Sequence, residues 1–480
     1  MSLTHSISNA LSGLQASSRG VQTASSNIAN AMVEGYAPRQ LTLANAAGVG
    51  GGVRVTGMLR DADPVLNGML RQSGAEQAAS GAAAGFWDRL ADAIGETGSA
   101  ASLTGRIAAF ENALAEAADR PDLDYLLTTA ARAADALATG FNQASDDLRA
   151  QRQEADAAIA RDVEAFNLGL DRVARLNVDI LRQQARGDPA LDLVEQRERL
   201  VNDLSEIVPL REQTRPDGRI ALFSAGGQML LDGTSPMRLE FEPTAVITAG
   251  MTVEGGQLSG LTLDGQPVPA GAEAPLGGGR LGASFDLRDK LAPQAQNRLD
   301  QLAADMIARF SEPGVDPSLP AGAPGLFTDD GAAPGNPPAP GLAGRVALQA
   351  VLTPSGGNET WRLRDGLGAV APGVVGDPAQ LQRWLAAAEA PQATAPGATQ
   401  RSLAAHAGAL IGAIGKDRHD AAMSQAHAQS RHEVLQERKL ARGVDTDAEL
   451  QRLMVLEKAY AANARVLQVA DDLMRRLLEI

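Results

Sequence analysis

Large apolar residues recur every seven positions at the start of the chain: Ile7, Leu14, Val21 and Ile28. Three residues after each stand Ala10, Ser17, Ala24 and Ala31, so small side chains fill a second seam position. Leu11 widens the stripe. The pattern predicts a helix from about Thr4 to Met32, roughly 40 Å long. The far end repeats the device. Leu453, Tyr460, Leu467 and Met474 are again seven apart, and Leu456, Asn463, Ala470 and Leu477 hold the second position. Gly443 reads as the stop of a preceding helix, and "TDAE" (Thr446 to Glu449) as a capping box opening the last one. A lone helix with so thin a seam is marginal in water. The N- and C-terminal helices are therefore expected to pair with each other as a coiled coil.

Between the ends the texture changes twice. Residues 77–208 carry apolar positions every three or four, with Leu168, Val173, Leu176 and Ile180 on one expected face. From Pro209 the chain alternates and is broken by glycine every eight to twelve residues, which predicts short strands with tight turns. Helix returns near residue 280. Residues 311–344 are rich in Pro, Gly and Ala and read as a loop or disordered surface segment. "RVALQAVL" suggests a strand, and from Asp377 the pattern is helical again. The expected fold is mainly α with an inserted all-β module, elongated and multi-domain. Its expected parts are residues 1–60 with 443–480 as a terminal coiled-coil domain, and 61–208 with 280–312 and 377–442 as a helical domain. Residues 209–279 are expected to form a β-rich domain, and 313–376 a Pro/Gly-rich loop with short strands.

Composition sharpens this picture. Only 3% of the 480 residues are aromatic, so a core must come from Leu, Val, Ile and Ala, which suits helix packing. The net charge of −15, without any basic run, argues against a nucleic-acid partner. There is no cysteine, which excludes disulfides and thiolate metal sites. "MSLTHSIS" has neither the basic nor the apolar region of a Sec-type signal, and the longest nearly apolar run, "AGALIGAIG", is too short to cross a bilayer. No membrane insertion is expected.

Catalytic chemistry is hard to find. His419 and His427 lie two turns apart on one predicted helix and His432 is turned away, poor spacing for a metal. "GAIGKD" lacks the first glycine and the Ser or Thr of a phosphate loop. No carboxylate pair has a singular spacing. The chain is expected to be no enzyme and to carry no cofactor and no metal; a rod-associated glycosidase or a coiled-coil binding module are the weaker alternatives.

The ends carry a resemblance. "ALSGLQASSRGVQTASSNIANAMVEGY" resembles the N-terminal motif of the flagellar rod, hook and hook-associated axial proteins, and "EKAYAANARVLQVADDLMRRLLEI" resembles their C-terminal partner motif. The middle block "ARLNVDILRQQARGDPALDLVEQRERLVNDLSEIVPL", with Glu195-Gln196-Arg197-Glu198, is similar to the hook-associated protein 1 branch of that family, as is "LGASFDLRDKLAPQAQNRLDQLAADMIARF". Val33-Glu34 replaces the usual Thr before the Gly-aromatic pair, and the arginine at 39 comes one residue late.

The resemblance implies a structural protein of the bacterial flagellum, secreted by the flagellar type III apparatus and self-assembling as a ring between hook and filament. A hook or distal-rod axial protein is the alternative. It implies contacts with hook protein, with hook-associated protein 3 and with a cytoplasmic export chaperone. The expected N-terminal assembly residues are Ile7, Leu11, Leu14, Val21, Asn27, Ile28, Asn30, Gly35 and Tyr36. The expected C-terminal assembly and chaperone residues are Leu453, Leu456, Tyr460, Asn463, Leu467, Ala470, Met474 and Leu477. Ser25, Ser26, Asn27 and Asn30 would flank the seam where neighbouring copies lie close, with Gly35 supplying a left-handed turn and Tyr36 an anchor with a polar tip. The terminal helices would be mobile in the monomer and ordered on assembly.

Overall fold

A computed structural model describes residues 3–33, 35–46, 51–96, 98–335, 337–394 and 399–478. Its helices are α1 (Leu3–Ala29), α2 (Pro64–Ile94), α3 (Leu103–Asp119), α4 (Asp124–Ala185), α5 (Leu191–Ile207), α6 (Gly279–Asp286), α7 (Ala292–Ser311), α8 (Arg362–Asp365), α9 (Ala379–Glu389), α10 (Leu403–Ala441) and α11 (Thr446–Leu478). A π-helical turn, Leu287–Leu291, joins α6 to α7. The strands are short and antiparallel. β1 (Arg39–Asn45) pairs with β2 (Val53–Arg60). β3 (Leu210–Thr214), β4 (Ile220–Ser224), β5 (Met229–Asp232) and β6 (Ser235–Pro236) form one sheet in that order. β7 (Leu239–Glu240), β8 (Leu261–Leu263) and β9 (Gln266–Val268) form another, and β10 (Phe327–Asp329) pairs with β11 (Val346–Leu348). The fold is mainly α with inserted antiparallel β.

Two compact units divide the chain: residues 1–76, 165–238 and 428–480, and residues 77–164 and 239–427. The strands expected as one β-rich stretch are shared out, β3–β6 to the first unit and β7–β9 to the second.

In the first unit Asp63 caps α2, its carboxylate accepting from the Val65 and Leu66 amides at 3.0 and 3.1 Å, with Pro64 opening the helix. Within the first-unit part of α4 the inward face is Phe166, Leu170, Val173, Asn177 and Ile180; Leu168, placed on that face from the sequence, is exposed. Close packing sets the choice. Gly169 lets Leu204 of α5 approach so closely that a Cβ there would lie 2.4 Å from it, which rotates Leu168 to solvent. Asn177 is wholly buried and closes the β4 end of the sheet, donating to the Ile220 and Gly233 carbonyls at 3.1 and 2.6 Å and accepting from the Ile220 amide at 3.2 Å.

The second unit holds the large core. Phe110, Phe310 and Phe327 meet edge to face with centroids 5.3–5.8 Å apart, and Trp384 packs on Phe310 at 6.0 Å while its ring N–H donates to the Leu363 carbonyl. Phe327 corrects the expectation for residues 311–344. That segment is not a surface loop throughout, because Leu326, Phe327, Leu342 and Ala343 are buried. Its Pro and Gly content masked two short apolar anchors.

The π-helical turn serves a buried charge. The Arg288 guanidinium is fully enclosed, stacked 5.0 Å from the Phe285 ring and 5.5 Å from that of Phe241. It donates to Asp156 at 2.7 Å, to Asp289 at 2.8 Å and to the Ser259 carbonyl at 3.0 Å. Asp156 in turn accepts from the Thr244 amide at 2.7 Å. Breaking a buried pair by removing one partner strands the other's charge. Arg288→Met should therefore destabilise the chain by about 3–5 kcal/mol in denaturant unfolding. A loss within about 0.5 kcal/mol would show that the ion cluster is dispensable.

Candidate assembly surface

Helices α1 and α11 lie antiparallel and pack together. Three contacts mark the register in steps of seven on both: Gly13 meets Asn463, Gly20 meets Leu456, and Asn27 meets Glu449. The face that α1 turns to α11 is not the one its large residues announce. Ala10, Ala16, Ser17, Gly20, Thr23, Ala24 and Asn27 are buried, while Ile7, Leu14, Val21 and Ile28 are only half-buried and Leu11 is 50% exposed. The reason is backbone approach. A Cβ on Gly20 would lie 2.9 Å from the Leu456 methyls, and one on Gly13 2.7 Å from the Asn463 amide. The leucines of α11 thus nest on a flat strip of small residues, and the large residues of α1 are displaced to the flank.

Helix α11 contributes Leu453, Leu456, Asn463 and Leu467, half-buried, and Ala470, buried. Tyr460 and Met474, expected in the seam, are exposed, and the side chain of Leu477 lies outside the described residues. Beside Tyr460 and Met474 the outer side of α11 presents Met454, Val455, Val466, Val469 and Leu473, with Val455 66% and Val469 58% exposed.

Asn27 closes the contact. It is wholly buried, and both ends of its amide are used twice. The nitrogen donates to Glu449 Oε1 at 2.8 Å and to the Arg39 carbonyl at 3.0 Å. The oxygen accepts from the Tyr36 hydroxyl at 2.7 Å and the Arg39 amide at 3.0 Å. One side chain thereby ties α1, the turn after it, the first strand residue and the last helix. Asn27, expected beside neighbouring copies, is enclosed by its own chain. Asn30 stays local, donating to the Ser26 carbonyl at 2.8 Å. Gly35 takes φ +79, the left-handed turn, and a Cβ there would press on Arg199 at 2.8 Å.

Glu449 is free to reach Asn27 because the cap lies one residue earlier than "TDAE" implies. Asp445 accepts from the Asp447 and Ala448 amides, each at 3.0 Å, so Thr446 is the first helical residue and Glu449 falls past the box.

Behind this contact runs a chain of ion pairs. The Arg39 guanidinium lies 5.1 Å from the Tyr36 ring centre and holds Asp192 and Glu195. Arg60 holds Glu195 and Glu198 and donates to the Gly35 carbonyl at 3.3 Å. Asn67 donates to Glu198 at 2.7 Å. Arg197 reaches the other way, to Asn177 Oδ1 at 2.8 Å. Glu195 and Glu198 of the motif thus meet arginines, whereas Arg197 meets only neutral oxygens, those of Asn177 and Gly218. Among the described residues no three His, Cys, Asp or Glu side chains converge as a metal site, and no helix is long and apolar enough to cross a membrane.

The motif residues thus build one structure, and comparison with known proteins finds similar flagellar proteins. A family model described as the flagellar hook-associated protein FlgK helical domain matches residues 87–313. Another, described as flagellar basal body rod FlgEFG protein C-terminal, matches 441–480. Flagellar hook-associated protein 1 of Salmonella typhimurium is 28% identical over 316 residues, 64% of this chain and 55% of that protein. The Bacillus subtilis protein of the same name is 23% identical over 504 residues, 97% of this chain and 96% of its own length. The chain is similar to flagellar hook-associated protein 1. The matched stretch is about half the length of the Salmonella hook-associated protein. The hook junction protein FlgK of Burkholderia pseudomallei overlaps with a TM-score of 0.45 at 20% identity, over 54% of this chain and 46% of that one.

Removing Asn27 leaves the buried Glu449 carboxylate and the half-buried Tyr36 hydroxyl without their partner. Asn27→Ala should cost about 3 kcal/mol in unfolding experiments, whereas Asn30→Ala should cost under about 0.5 kcal/mol. Equal, small effects would contradict the hub. Burial raises the Tyr36 phenol above its ordinary value, against the opposing pull of Ser26 and Arg39. A group raised in the folded state stabilises fully below its unfolded value, near pH 10, and that contribution is lost as pH rises through the folded one. Stability should fall more steeply above pH ~10 in the wild type than in Tyr36→Phe, and parallel alkaline slopes would refute this.

Proposed function

We propose that this chain is a non-catalytic structural component of the bacterial flagellum that forms the junction between hook and filament. The observation that carries this is the row of large apolar residues left in water after α1 and α11 have paired. Leu11, Val455, Tyr460, Val466, Val469, Leu473 and Met474 are all exposed, although the pair already has its internal seam. Val455, Val466, Val469 and Leu473 recur at helical spacing on one side of α11, and an exposed apolar stripe of this kind marks a partner site. In this proposal α1 and α11 form a coiled coil, and its outer face packs against neighbouring copies in a ring. Ile7, Leu14, Val21 and Ile28, half-buried on the flank, complete that face.

The neighbours in the assembly are hook protein on one side and hook-associated protein 3 on the other. Before secretion through the flagellar type III apparatus, an export chaperone covers the α11 face. The C-terminal match alone would fit a hook or distal-rod protein. The match over residues 87–313 favours the hook-associated role.

Cells lacking the chain should carry hooks without filaments and shed filament subunits into the medium; normal filaments would refute the role. Replacing Val466 and Val469 with Asp should leave the melting temperature within a degree or two of wild type, since both sit on the surface. The same variant should reach the medium yet give no filaments. Normal swimming by that variant would refute the interface.

A further inference from the structure

The first unit contains a cavity of about 700 Å³ lined by elements α2, α5, β3 and the turn before β4. Four arginines, Arg60, Arg71, Arg197 and Arg211, and two glutamates, Glu198 and Glu212, line it. The glutamates are taken: Arg60 holds Glu198, and Arg71 holds Glu212 at 2.9 Å. Two cations are left over. Arg197 is 5% exposed, yet its hydrogen bonds go to the Asn177 side-chain oxygen at 2.8 Å and the Gly218 carbonyl at 3.0 Å, neither of them charged. Arg211 stands exposed at the rim and pairs with no carboxylate among the described residues.

A buried guanidinium with no carboxylate bonded to it is costly, because its desolvation is only partly offset. Burial pushes Arg197 below the ordinary arginine value, opposed by Glu212 and Glu198 and reinforced by Arg71 and Arg60. Elsewhere in the chain the fully buried Arg288 and Arg309 each hold an aspartate, and Arg152, 4% exposed, is met by four backbone carbonyls, twice the number of oxygens that meet Arg197. The cavity is large enough for several side chains, and Val65 and Met69 give it an exposed apolar lip.

We propose that this cavity is a receptor for a carboxylate, supplied by an acidic side chain with an apolar neighbour on a second copy of the chain. Arg197 and Arg211 clamp the carboxylate, and Val65 with Met69 covers the apolar neighbour. A second copy is the source that charge favours. At −15 overall, copies repel one another unless acidic groups of one meet surplus cations of the other. The identity of the source rests on the assembly role proposed above; the carboxylate chemistry does not.

Two arms test it on the full chain. In vitro, a labelled peptide alternating aspartate and leucine is titrated against its asparagine counterpart at matched ionic strength, by fluorescence anisotropy. The acidic peptide should bind and the neutral one should not. Arg211→Glu should weaken binding at least tenfold with an unchanged melting temperature, and Arg197→Met should do the same if it folds. Equal binding of both peptides, no binding, or binding indifferent to Arg211→Glu would overturn the carboxylate site. In flagellated cells, a photo-crosslinking residue in place of Met69 should yield a homodimer mapping to a peptide with Asp or Glu. A crosslink to a different protein, or none, would overturn the second copy as source. The peptide arm needs no assembly, so loss of the flagellar role would leave its result standing.

Discussion

The strip of small residues on α1 is the constraint on which the terminal pair depends. Gly13 and Gly20 have no side chain to hold α11 away, and Leu456 lies against the second of them. Close approach brings Asn27 within hydrogen-bonding range of Glu449, seven residues further along both helices. That bond orients Asn27 so that its oxygen receives Tyr36 and the first amide of β1. Had the large residues of α1 filled the seam, the helices would stand further apart and the amide could not serve both sides. The same rotation leaves Leu11 and the valines of α11 in water, so the internal contact and the outer apolar face are two results of one choice.

In both units buried guanidinium and carboxylate groups meet in clusters, while Arg197 and Arg152 are held by neutral oxygens instead. Arg39 and Arg60 share Glu195, Arg60 and Asn67 share Glu198, and Arg288 holds Asp156 and Asp289 between two phenyl rings. Such clusters add little net stability compared with apolar packing, but they are unforgiving of partial replacement. They fix which segment meets which. Arg39 follows the hub residue by twelve positions and reaches α5, far along the chain, through Glu195. The interdependence explains why an acidic-Gln-Arg-acidic run stands where it does: each charge answers a different element.

Much of the architecture was legible because helix periodicity survives local accidents. The two terminal helices, the long α4 and the strand-rich stretch after Pro209 follow from spacing and glycine placement. What was not legible depends on contacts between distant residues. The seven-spaced Ile7, Leu14, Val21 and Ile28 looked like the seam because large residues usually bury more area; only Leu456 on Gly20 reveals that the small strip wins. Asn27 looked like a surface amide because its partners, Glu449 and Arg39, cannot be assigned from local pattern. Glu449 was assigned to a capping box that Asp445 shifts by one residue. Phe327 was hidden in a Pro/Gly-rich segment, though an isolated Leu-Phe pair in such a stretch was a usable signal. Arg288 had a weaker one, since nothing in "DLRDKL" marks which charge goes inside.

The packing of α1 against α11 within the single chain stands beside the expectation that both helices are mobile in the monomer and order only on assembly. Hydrogen exchange of the purified, unassembled chain, read by mass spectrometry along residues 10–29 and 449–470, tests this most directly. Intramolecular pairing predicts slow exchange in both segments together, with both accelerated by Asn27→Ala. Exchange at the rate of an unstructured chain in both segments, slowing only in assembled flagella, would contradict it.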